Sequence, residues 1–162
     1  MSDQTDARIV TLSIDAMGGD QGPAAVIGGL ALSAEKNPDI RYIVNGPQDE
    51  LERLIAKHKV LRDICEIRDA GGVVSMEDKP SQVMRHGKGT SMFSAIDAVR
   101  AGDASVCVSC GNTGALMALS MVRLRKLPGI NRPAIAVLWP SRNPGGFNVM
   151  LDVGADVRAD EQ

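Results

Sequence analysis

Two short segments combine glycine with small polar residues in a pattern suited to holding an oxyanion. They are Asp15-Ala16-Met17-Gly18-Gly19-Asp20 and Ser109-Cys110-Gly111-Asn112-Thr113-Gly114. In the second, Asn112 and Thr113 open a run of helical periodicity. The amides of Gly111 to Gly114 would then lie at the positive end of a helix dipole, where phosphate groups are well held. The same residues would serve equally as an ordinary helix cap. Asp15 and Asp20 flank a Gly-Gly turn, where two carboxylates could bind magnesium or supply a general base, or simply brace the turn. Asp152 and Asp156, in a third turn, fit ordinary turn chemistry.

Two further motifs lead elsewhere. Gly87-Lys88-Gly89-Thr90-Ser91 suggests a P-loop, but the spacing fails: the first glycine would fall at Gln82 and the hydroxyl residue at Gly89. The segment reads instead as a basic loop, with Lys79, Arg85 and Lys88 available to attract phosphate. Cys107 and Cys110 form a lone Cys-x-x-Cys. A zinc site needs four ligands, and His58 and His86 are remote in sequence. A redox dithiol is the remaining chemical reading, and small core packing the plainer one.

These residues need elements to position them. Val10, Leu12 and Ile14 alternate with polar residues, which is strand periodicity. Pro23 suits a first helical turn, and Val26, Ile27, Leu30, Ala31 and Ala34 mark one face of a helix that Asn37-Pro38 stops. The pattern repeats: strand at 40–44, helix around Leu51 to Ile55, short strand at 64–67, a helical turn at 80–85, and a helix through Met92, Ile96 and Val99 that Gly102 ends. The apolar run 104–108 suits a buried parallel strand. A nearly all-apolar helix follows from Leu116 to Leu124, then strands at 134–139 and 147–151. Alternation of strand and helix predicts an α/β fold, a mainly parallel sheet with helices on both faces. Its ligands are then expected outside the carboxyl ends of the strands, where all three turns of glycine and short polar residues fall. Residues 1–7 read as a flexible tail and 8–162 as one α/β portion. With so few residues after Asp152, the chain reads as though cut inside a larger fold.

Composition narrows the function classes. The 162 residues are 44% hydrophobic and 23% charged, as in globular proteins, and the 18 basic and 20 acidic residues are well mixed. No basic excess points to nucleic acid, and Trp139, Tyr42, Phe93 and Phe147 are too few for a base-stacking surface. Three cysteines, an odd count, make no disulfide framework. The polar segment 1–7 carries Asp3 and Asp6 and is no secretory signal, so a cytoplasmic protein with reduced thiols is expected.

Six segments, taken in order, resemble one family. They are Asp15 to Asp20, Met76-Glu77-Asp78-Lys79-Pro80, Ser91-Met92, Val108 to Ala118, Leu127-Pro128-Gly129-Ile130 with Arg132-Pro133-Ala134, and Leu151 to Ala155. The family is the acyl carrier protein–phosphate acyltransferases, PlsX, and the chain is similar to its N-terminal half. The resemblance implies a fold like the phosphotransacetylases and isocitrate-type dehydrogenases, usually as a homodimer. It implies conversion of acyl–acyl carrier protein and inorganic phosphate to acyl phosphate, which a glycerol-3-phosphate acyltransferase then consumes, with no cofactor and with no residue assigned to a metal. Full-length members are longer, and their missing portion is expected to carry peripheral membrane contact. On this reading Asn112, Lys79 and Asp15 are the expected catalytic residues. Gly18, Gly19, Asp20, Ser91, Ser109, Gly111, Thr113 and Gly114 are expected to bind phosphate or substrate. A phosphotransacetylase acting on acyl-CoA, and a non-catalytic module pairing with another chain, are the alternatives.

Overall fold

The computed structural model describes residues 9–130 and 134–151. These fall into two units that divide after Leu124. The first is an α/β sandwich. Its strands are β1 (Val10–Asp15), β2 (Ile40–Gly46), β3 (Cys65–Asp69) and β4 (Val106–Val108), and its helices are α1 (Gly22–Lys36), α2 (Gln48–Ile55), α3 (Pro80–His86), α4 (Ser91–Ala101) and α5 (Thr113–Arg123). The strands form one parallel sheet in the order β3-β2-β1-β4.

Strand alternation sorts the side chains onto two faces. Ile14, Tyr42 and Val44 pack with Ile27 and Leu30 of α1 and Leu51 and Ile55 of α2. On the other face, Ile43 meets Ala98 of α4, while Cys107 packs against a cluster of Met92, Ile96, Ala115 and Leu119. The second face also carries a polar centre. The buried Asn45 amide donates to Ser13 Oγ and to the Ile14 carbonyl, both at 3.0 Å, and its oxygen accepts from Ser94 Oγ at 2.7 Å. This network pins α4 to the two central strands.

Helix ends follow local chemistry. Thr90 caps α4 by accepting from the Phe93 amide, and Gly102, at φ +85°, ends it in the left-handed region. Pro23 and Pro80 stand in the first turns of α1 and α3.

One expectation is corrected, and one is completed by a pairing that the sequence did not specify. The segment 104–108 is not a strand buried on both sides. Among the described residues only Val106 to Val108 pair, with β1 alone, and β4 forms an edge of the sheet with Val106 and Val108 exposed. An apolar run encodes burial of its faces but not which neighbour provides it. The strands expected at 134–139 and 147–151 form an antiparallel pair, β5 (Ala136–Pro140) and β6 (Phe147–Leu151), in a sheet of their own within the second unit. A link this short, with Gly146 at φ +76°, can close a hairpin but cannot carry the crossover that parallel strands need.

Candidate functional site

The strand order places β1 between β2 and β4, so the loops that leave β1 and β4 are neighbours. The first leads to α1 on one face of the sheet and the second to α5 on the other. Where adjacent strands send their connections to opposite faces, a crevice opens at the carboxyl ends.

Asp15, the last residue of β1, is the centre of this junction and only 2% exposed. One carboxylate oxygen accepts from Ser91 Oγ at 2.6 Å and the other from Ser109 Oγ at 2.7 Å. Ser109 Oγ in turn accepts from the Gly111 amide at 3.1 Å. A buried carboxylate is tolerable when both oxygens are hydrogen-bonded, and these bonds are strong because the acceptor is charged. One side chain thus ties the end of β1, the start of α4 and the turn after β4.

The two loops touch backbone to backbone. A Cβ on Gly18 would stand 2.7 Å from Asp15 Oδ2, 2.8 Å from Ser109 Oγ and 2.9 Å from the Gly111 nitrogen. A Cβ on Gly111 would stand 3.2 Å from Gly18 Cα. Beside them Gly18, Gly19, Asp20, Val26, Leu30 and Cys110 help to line a cleft of about 500 Å³.

Asn112 caps α5, its Oδ1 accepting from the Ala115 amide at 3.0 Å. Its Nδ2 donates to the carbonyls of Ser75, Met76 and Asp78 at 3.1, 3.2 and 3.0 Å. Every hydrogen-bonding atom of this side chain is therefore spent on protein. Its geometry is that of a clamp on the loop before Lys79. Among the described residues, the amides of Thr113 and Gly114 meet no acceptor, as expected for the first turn of a helix. A Cβ on Gly114 would lie 3.1 Å from Pro80 Cγ, which puts the start of α3, and exposed Lys79 before it, beside this helix end.

Replacing Asn112 with Ala is expected to cost about 2–3 kcal/mol in urea unfolding, from one lost cap and a released loop. Asn112→Asp keeps the cap but sets a carboxylate against three carbonyl oxygens, so it is expected to be no better. Recovery by Asp to parental stability would mean that the cap alone matters.

Seen together, the sequence-derived residues Asp15, Gly18, Ser91, Ser109 and Gly111 meet at one point, with Asn112 to Gly114 adjoining. Ser91 is 1% exposed and gives its hydrogen to Asp15. The turn from Asp152 to Asp156 lies outside the described residues, as does the segment 1–7. Asn45, with Ser13 and Ser94, is not foreseen from the sequence; its one signal is an amide directly after the apolar run Tyr42-Ile43-Val44. Burial, and then the charge of Asp15, push the Cys107 thiol up to about 12. A thiol held neutral in this way is the opposite of a reactive dithiol. Among the described residues no group of three or more His, Cys, Asp or Glu side chains is placed to hold a metal, and no helix is long and apolar enough to cross a membrane.

A parallel α/β sheet whose switch-point crevice is walled by two glycine loops is the class that fold and site define. Within it, the chain belongs to the family described as fatty acid synthesis protein, whose model matches residues 10–162. It is 70% identical over 159 residues to the phosphate acyltransferase of Ruegeria sp. (strain TM1040), covering 98% of this chain and 42% of that protein. It is 71% identical over 157 residues to the phosphate acyltransferase of Paracoccus denitrificans (strain Pd 1222), covering 97% and 42%. The chain thus spans less than half the length of these curated relatives and matches their N-terminal part.

Proposed function

We propose that this chain supplies the phosphate-seating part of an acyltransferase that makes acyl phosphate from an acyl–acyl carrier protein thioester and inorganic phosphate. The observation that carries the reading is the crevice between the loops after β1 and β4, closed on Asp15 and adjoining the open amides of Thr113 and Gly114. Those amides and Lys79 would hold the phosphate and face the oxyanion of the thioester carbonyl, with Gly111, its own amide bonded to Ser109, shaping the turn behind them. A phosphate oxygen attacks that carbonyl, the C–S bond breaks, and the carrier thiolate leaves and takes up a proton. Asp15, Ser91, Ser109 and Asn112 act by positioning, since their polar atoms are already engaged. Gly18, Gly19 and Asp20 form the rim.

Acyl carrier protein as donor, delivery of acyl phosphate to a glycerol-3-phosphate acyltransferase, a homodimeric state and a cytoplasmic setting with peripheral membrane contact belong to the same proposal and rest on family membership. The test is hydroxylamine trapping after incubation with acyl–acyl carrier protein and phosphate. The chain fused to the C-terminal remainder of the Ruegeria protein is expected to yield hydroxamate, and the 162-residue chain alone is expected to yield none. A fused protein that turns over acyl-CoA but not the carrier-protein thioester would overturn the choice of donor.

A further inference from the structure

We infer that the basic corner formed by the end of α3 and the turn before α4 is a docking surface for an acidic face of the carrier protein that brings the acyl thioester. The partner's identity rests on the reaction proposed above; the surface itself lies outside the crevice.

From Lys79 to Ile96 the chain carries no Asp or Glu, yet Lys79, Arg85 and Lys88 all fall in that stretch of a protein whose net charge is -2. These charges are left without partners. Among the other described arginines of the first unit, Arg41, Arg53 and Arg62 donate to backbone carbonyls, Arg68 pairs with Asp103, and Arg100 and Arg123 pair with Asp97. Arg85 alone has no acceptor among the described residues, and Lys88 has none either. Both side chains are exposed. A cation in a last turn suits the helix dipole, but α1, α2, α4 and α5 carry one there as well. The dipole accounts for the residue type and not for the missing counter-charge.

The two cations stand on a fixed frame. Gly87 keeps helical dihedrals, so Arg85 and Lys88, three residues apart, lie one turn from each other on one side. The turn that carries Lys88 is bonded into the body of the unit. The Gly72 amide donates to the Gly89 carbonyl at 3.1 Å, the Ser91 amide to the Gly72 carbonyl at 2.9 Å, and the Thr90 hydroxyl to the Gly87 carbonyl at 2.7 Å. On the inner side of α3, Val83 is buried with Ala115 and Leu119. Charges presented this way lose little freedom when a partner binds.

Apolar contact is available among the charges. Met84 and Met76 are 45% and 53% exposed, and a hollow of about 150 Å³ opens between α3 and the loop before it, walled by Val73, Gln82, Val83 and His86. Unbranched, polarisable methionines adapt to a partner's shape. Cations around a shallow, partly apolar patch match a folded acidic surface, whereas a small free ligand is held by polar groups converging in a concave pocket. Position gives the role. α3 has seven residues and is about 10 Å long. Its first residue, Pro80, adjoins Gly114 at the start of α5, and Arg85 and Lys88 lie at its other end. A carrier held there stands beside the crevice without filling it.

The test uses the chain fused to the C-terminal remainder of the Ruegeria protein, with Arg85→Glu and Lys88→Glu introduced together. Neither side chain is bonded to the protein, so the melting temperature is expected to match the parent's. Binding of fluorescently labelled, unacylated acyl carrier protein, followed by anisotropy, is expected to weaken about tenfold or more. Raising sodium chloride from about 50 to about 300 mM should weaken the parent's binding several-fold and leave the variant's nearly flat. In the hydroxylamine assay the KM for the carrier thioester should rise by the same factor, with kcat and the KM for phosphate unchanged. Arg85→Lys with Lys88→Arg should bind as the parent does. Carrier binding that the double Glu variant leaves intact overturns the inference, whether or not the fused protein forms hydroxamate. A protein that binds the carrier through these residues yet forms no hydroxamate supports the docking surface and removes the proposed reaction. A raised phosphate KM with unchanged carrier binding would instead assign the two cations to the phosphate seat. Loss of binding to phosphatidylglycerol vesicles, again with carrier binding unchanged, would make the partner a membrane.

Discussion

Gly18→Ala is expected to cost about 2–3 kcal/mol of stability and to abolish hydroxamate formation by the fused protein. The reason is steric. Gly18 is not among the glycines with positive φ, so alanine could adopt its backbone conformation without strain. The added methyl would nevertheless meet three atoms inside 3.0 Å: Asp15 Oδ2, Ser109 Oγ and the Gly111 nitrogen. None is the free end of a flexible side chain, since the first two are hydrogen-bonded to one another and the third is backbone bonded to Ser109. Relief therefore requires the two loops to separate, which opens the crevice walls and shifts the first turn of α5. Gly28→Ala is the matched control. A Cβ there meets nothing, the site is inside α1, and replacement is expected to stabilise by about 0.5–1 kcal/mol. Urea midpoints of the two variants, measured side by side, check the contrast. If Gly18→Ala is as stable and active as the parent protein, the loops are not in the contact described.

Local features of this fold are legible in the chain because they are written locally. Proline at a first turn, glycine after a last turn and apolar spacing place α1, α4 and α5 to within a residue or two. The Ser109–Gly114 turn announces itself by composition. Lateral relations are not written that way. That Ser91 reaches Asp15 across 76 residues of sequence depends on β4 returning to the far side of β1, and no pattern in either segment encodes that order. The same holds for Asn45, whose partners Ser13 and Ser94 lie 32 and 49 residues away. Asn112 shows the limit from another side. Its type and place identified both a helix cap and a phosphate ligand, and only the position of the 75–78 carbonyls shows where its amide hydrogens go. The antiparallel pairing of β5 with β6 was the remaining gap: both strands could be read, but not their partners.

Removing the Asp15 carboxylate is expected to be the most damaging single change in the first unit. Asp15→Ala leaves two serine hydroxyls without their acceptor, one of them on a residue 1% exposed, and it deletes two charge-assisted bonds. The expected loss is about 3–5 kcal/mol. That is a large share of the roughly 5–15 kcal/mol that stabilises a domain. Asp15→Asn separates shape from charge. Its oxygen can still accept from Ser109, but its amide must face Ser91, whose hydroxyl then has to turn and leave its own hydrogen without a partner in a buried place. About half the alanine cost is expected. Coupling is the decisive quantity. If Asp15 works by holding α4, Ser91→Ala should cost far less in the Asp15→Ala background than alone, with an interaction energy of about 1–3 kcal/mol in the double-mutant cycle. Strict additivity would mean that the 2.6 Å contact contributes nothing. Cys107 gives a second, purely electrostatic readout. Burial is the larger cause of its raised pKa and the Asp15 charge the smaller. The Asn variant should therefore lower the Cys107 titration while leaving it above that of an ordinary thiol. An unchanged titration in a folded Asp15→Asn protein would show that the carboxylate at this junction is not charged.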